Sequence, residues 1–221
     1  MAPPAPSMRA SRAELFAVPT LRRLWLGLPV VGVAIITLPQ LMRLFFERIY
    51  GYGPAGRGFV ALLAGVGIVL GLVLGQRLAT RALRDGRPER LAVFDGLAIL
   101  GIGGALIGAV VAPTAPVSAV FYLLQGVAVG AYQPCYFSLV ALVSGARVRA
   151  QAYAYAIVFL GIGALASPLL AQLADDRGYR VALGVLGLSL VLGGAVTTTA
   201  GRTVRADAAR AAAPEPVADP A

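Results

Sequence analysis

Residues 58–75 (GFVALLAGVGIVLGLVLG) contain no charge and run straight into a loop that carries Arg77, Arg81, Arg84, Arg87 and Arg90 against only Asp85 and Glu89. Coiled as a helix, eighteen residues extend about 27 Å, close to the hydrocarbon thickness of a bilayer. A water-soluble core has no use for such a segment, so the stretch reads as one membrane crossing. An arginine excess in a short loop marks the cytoplasmic side, and this one loop orients the rest of the chain.

The composition agrees. The chain has 221 residues, of which 58% are hydrophobic and 13% charged, with a mean hydropathy of +0.80. That is the composition of a polytopic membrane protein, with the lipid bilayer as its solvent. In a soluble protein the net charge of +9 would suggest nucleic acid, but these arginines lie between apolar segments rather than on one patch. They act as topology signals, and no nucleic-acid partner is expected. The absence of His and the single Cys135 exclude a disulfide framework, a zinc site of the usual ligands and a His-dependent triad. No metal, no cofactor and no enzymatic activity are expected.

In chain order, a polar cytoplasmic lead (1–23) precedes a first span over 24–46, in which Pro29 and Pro39 predict kinks. The opening stretch is the second span. A third covers 92–111 and a fourth 117–143; the fifth, 150–174, is interrupted at Ser167 and Pro168, and the sixth covers 181–200. The short connection between spans four and five predicts that they are antiparallel neighbours. Residues 201–221, rich in Ala, Pro and Asp, are expected to be a disordered cytoplasmic tail. The expected fold is all-α: six transmembrane helices in one bundle over 24–200. Fourteen of the nineteen arginines then fall on one side, which predicts an inner-membrane, multi-pass protein with both termini in the cytoplasm.

The fourth span is the least uniformly apolar. At 100° per residue, Tyr122, Gln125, Tyr132, Gln133 and Tyr136 share an arc of about 100°. Amides in mid-membrane must face protein or water, so this face points inward. It can line a substrate pathway, where aromatic and amide groups suit an amphipathic organic ligand, or it can hydrogen-bond helices together. Gln40 and Arg43 share a face of the first span and could hold an anionic group; alternatively Arg43 snorkels to the interface or pairs with Glu47. Asp95, one turn into the third span, reads as an interfacial acid beside Arg90 at a helix start, with a proton carrier as the alternative. Gly67, Gly71 and Gly75 form two overlapping G-x-x-x-G steps that permit close helix approach.

Two further motifs suggest a family. A basic loop follows the second span at a helix-ending glycine (Gly75-Gln-Arg77-Leu-Ala-Thr-Arg81), and a Leu-Ala-Asp-x-x-Gly-x-Arg turn, with Asp175 and Arg180, occupies 173–180 after the fifth. With six spans, this resembles one half of a major facilitator superfamily transporter, the C-terminal half more closely. The family's loop motif has the form G-x-x-x-x-D-R-x-G-R-[KR] and its acid helps hold a gate; Gly75 and Arg81 carry over by position, and Thr80 stands in the acid's place. The resemblance implies secondary-active transport of a small molecule by alternating access. Family members usually have twelve spans. Two copies in a homodimer, or a second six-helix half, would complete the unit. A non-transporting membrane subunit that associates with another membrane protein is the alternative.

Overall fold

The computed structural model describes residues 8–213, and the side chains of 12–213. Nine helices make up these residues: α1 (Met8–Phe16), α2 (Pro19–Tyr50), α3 (Pro54–Arg84), α4 (Glu89–Val111), α5 (Ala115–Val143), α6 (Arg149–Ala164), α7 (Ser167–Arg177), α8 (Tyr179–Thr198) and α9 (Gly201–Ala212). Six stretches are long and apolar enough to cross a membrane, with α6 and α7 together making the fifth. Helices are the required solution, because in lipid every backbone N–H and C=O must be satisfied within its own segment.

The turns between spans are tight. Gly51, at φ 69, ends α2 in the left-handed region that an L side chain resists, and Pro54 opens α3 three residues later. Both α2 prolines lie inside one continuous helix. Span five does break. Leu165 and Ala166 donate to the carbonyls three residues back, at 3.2 and 3.0 Å, and α7 then starts with Pro168 in its first turn, where a missing N–H does no harm.

The pairing of helices is regular. α3 lies along α5, α2 along α6, and α4 packs between α5 and α8, with α8 also reaching α2. Large apolar side chains such as Phe59, Leu62 and Val69 on α3 and Ile157 and Leu165 on span five stay exposed, as a lipid-facing surface requires. Span five packs chiefly on α2 rather than on α5, which it meets at the Phe137–Tyr153 ring pair, 5.7 Å between centroids. The short loop thus makes spans four and five antiparallel without making them close neighbours. Beyond the α6–α7 break an apolar cleft of about 470 Å³ opens between α2, span five and α8, lined by Pro29, Val33, Ile162, Leu169 and Leu186 among others.

Both flanking segments contain helix. Part of the lead is helical, and Leu15 and Leu21 are fully buried. The expected disorder of 201–221 gives way over 201–212 to helix α9, while 214–221 and 1–7 lie outside the described residues. The reason is a tertiary contact invisible in local composition. Asp207, 3% exposed, accepts from the Thr20 backbone N–H at 2.9 Å and from its hydroxyl at 2.7 Å, capping the free N-terminal end of α2. Arg205 adds a two-pronged bond to Glu89 at 2.9 and 3.2 Å. Glu14 of α1 meets Arg147 at 3.3 Å. The two described ends of the chain therefore meet at the same end of the bundle.

Candidate functional site

Helix α5 is held by close backbone contact with α3. A Cβ on Gly67, Gly71 or Gly75 would run into the carbonyls of Leu123, Val127 and Ala131, one turn of α5 after another, and Gly126 and Gly130 stand in the same relation to Ala64 and Ile68. Small residues on both helices leave no room for rotation, so the polar face of α5 has a fixed direction.

That face points into the bundle. Tyr122, Gln125, Tyr132 and Tyr136 are buried, with 3–8% of their surface exposed, and Gln133 is half-buried. Tyr132 and Tyr136 stack at 5.4 Å, and Tyr122 packs 6.4 Å from Phe46 of α2. The Tyr132 hydroxyl has no hydrogen-bond partner among the described residues. Trp25 of α2 lies beside Tyr136 and directs its buried indole N–H toward the Tyr136 hydroxyl. Trp25 stacks on Phe159 at 5.6 Å and meets Phe16 at 5.2 Å and Tyr155 at 5.8 Å.

Asp95 is buried against neighbouring helices rather than open to solvent at the start of α4. It is 1% exposed, and neither carboxylate oxygen has a hydrogen-bond partner among the described residues. Its charge reaches Tyr132, Cys135 and Tyr136, so it belongs to the same polar cluster. A signal for this existed. Leu91, Asp95, Ile99, Ile102 and Leu106 recur at helical spacing and are all buried, which puts the carboxylate on the inward stripe; proximity to a helix start weighed too heavily against it.

The remaining candidates lie elsewhere. Gln40 and Arg43 share an exposed strip of α2 and do not join the α5 face. Glu47 forms its ion pair with Arg57 of α3 rather than with Arg43, four residues away on its own helix. Gly75 is buried against Ala131, with Arg77 and Arg81 exposed nearby. At the opposite end of the bundle Asp175 is exposed, while Arg180 donates to the Val110 carbonyl that ends α4 and lies 5.8 Å over the Phe45 ring. The two loop motifs are therefore separated by the length of the bundle.

No protein-family model matches the chain, and no curated protein does. Among solved structures it is similar to a bacterial homolog of the human lysosomal transporter Spinster, crystallised in an inward-facing and unoccupied conformation, with a TM-score of 0.67 and 18% identity. The likeness covers 93% of this chain and 53% of that one. The fold is that of about half of the matched structure. At this identity the likeness is one of fold alone, and it agrees with the resemblance to one half of a major facilitator superfamily transporter. The chain spans about half the length of the structure it matches.

Proposed function

We propose that this half-transporter bundle takes part in secondary-active transport of a small, amphipathic molecule by alternating access, paired with a second copy of itself or with another six-helix half. The observation that carries the reading is the match of nearly the whole chain to about half of a transporter. The α5 face supplies the substrate-binding groups: tyrosine rings for an apolar body, and Gln125 and Gln133 amides for its polar atoms. Gln40 and Arg43, exposed on α2, would meet the substrate or the second half. Gly75, Arg77 and Arg81 at one end and Asp175 and Arg180 at the other serve as loop contacts that change when the halves rock. The arginine distribution supports an inner-membrane location with both termini cytoplasmic.

A second reading has its own support. Tyr122, Gln125, Tyr132 and Tyr136 are buried within a single bundle, as groups that only hold helices together would be, and a non-transporting membrane subunit needs no more. Gln125→Ala and Gln133→Ala, singly and together, separate the two. A pathway face gives reduced accumulation of a panel of amphipathic cations and neutral compounds in vesicles or cells, with the melting temperature nearly unchanged. Unchanged flux in a fully active parent, with stability lowered by about 0.6 kcal/mol per lost bond, supports the subunit reading instead. A parent that moves nothing alone is tested in complex with its second half.

A further inference from the structure

We propose that Asp95, together with Tyr132 and Tyr136, is a proton-binding site inside the bundle. A carboxylate ion with neither hydrogen-bond donor nor counter-ion is among the most unfavourable groups to bury, and the neutral acid is the form that dry surroundings tolerate. Asp95 is in that position: 1% exposed, with both oxygens unpartnered among the described residues. The buried Tyr132 hydroxyl, without a partner among the described residues, and the Tyr136 hydroxyl beside Trp25 stand within its electrostatic reach. These three side chains are 1–4% exposed, which suits the smallest cation better than an organic one.

The groups facing Asp95 leave the role to it. On α5 these are Tyr132, Cys135 and Tyr136; on α2, Trp25 lies beside Tyr136 and Arg23 is engaged with the Thr199 carbonyl at 3.0 Å. Helix α8 has no ionisable side chain between Val181 and Thr198. On α9, Arg205 is paired with Glu89 and Asp207 with Thr20 and Arg210, and the α3 arginines Arg77, Arg81 and Arg84 are exposed. When water reaches the cluster, the Asp95 carboxylate takes a proton; the dry, packed state holds the acid neutral, and renewed access to water returns the proton. One positive charge is bound and released per cycle, and no other bond changes.

The inference rests on the transport reading only for what the proton drives, and the test is made without substrate. Trp25, the single tryptophan of the chain, sits beside Tyr136 and reports on the cluster. Purified full-length protein in lipid nanodiscs is titrated from about pH 5 to about pH 9 while Trp25 emission is recorded. One reversible transition is expected, lost in Asp95→Asn and kept in Asp85→Asn, whose acid is an exposed loop residue. A transition that survives in folded Asp95→Asn, or a parent with none, overturns the site. Should Asp95→Asn not fold, the unmodified protein is treated with a hydrophobic carbodiimide, which a protonated carboxyl attacks to leave a stable N-acylurea. The Asp95 peptide should be labelled at low pH and fall about tenfold per unit above the midpoint; labelling that ignores pH, or never reaches Asp95, refutes the inference. A titrating Asp95 in a complete complex that moves nothing refutes transport and leaves the site standing.

Discussion

Two helix pairs of this bundle correspond by position and differ in how they are built: span two against span four (α3 with α5), and span one against span five (α2 with α6 and α7). In the first, five glycines on two helices bring backbone to backbone over successive turns. In the second, the equivalent contacts are Gly32 against Leu160 and Gly163 against Pro29, after which the helix breaks at Leu165 and the apolar cleft opens. Span five buries little besides Ala152, Ala156, Gly163, Leu170 and Ala174. A seam of interlocked backbones has one arrangement; a seam that ends in a break and a cleft has room for more than one. The difference assigns rigidity to the pair that carries the tyrosine face and mobility to the pair that carries the cleft.

Three substitutions test that contrast, from the largest effect to the smallest. Gly71→Leu places a branched side chain against the Val127 carbonyl; overpacking of this kind should destabilise by about 3 kcal/mol or more, seen as a large fall in melting temperature or lost expression, while Gly65→Leu, which has open space around it, should do neither. A Gly71→Leu protein as stable as its parent would remove the rigid half of the comparison. Ser167→Ala deletes the hydroxyl pair between Thr37 of α2 and Ser167 of α7, a polar tie across the broken seam; a loss of about 0.6 kcal/mol is expected, the average for interhelical bonds in membranes, together with faster hydrogen exchange in α7. Ala166→Leu adds bulk at the cleft wall and should change stability by no more than about 0.5 kcal/mol. A loss as large as that of Gly71→Leu would show that the cleft is as tightly determined as the seam, and the contrast would fail.

The candidate site was legible to different depths. The α5 stripe needs only helical phase, since an amide at mid-membrane must turn away from lipid, and phase alone groups Tyr122, Gln125, Tyr132 and Tyr136. Asp95 needed the same argument on α4, where the inward stripe of Leu91, Ile99, Ile102 and Leu106 is equally regular, but whether an acid near a helix end is wet or buried depends on what covers that end. Here α9 lies over it, tied to the start of α2 through Asp207. The pairing of Arg43 with Glu47 failed for a related reason: i+4 is a local rule, and a partner on a neighbouring helix, Arg57, took the carboxylate.

Six crossings, their alternation and the inward face of α5 follow from the amino-acid sequence by itself, because apolar length, arginine placement and helical phase are local properties on which lipid imposes one solution. Which helix lies against which, the burial of Asp95 beside two tyrosines, and the ordering of α9 by Asp207 on the end of α2 were decided only in the tertiary structure. Each depends on two segments far apart in the chain, and their meeting satisfies or strands a polar group that neither segment reveals alone.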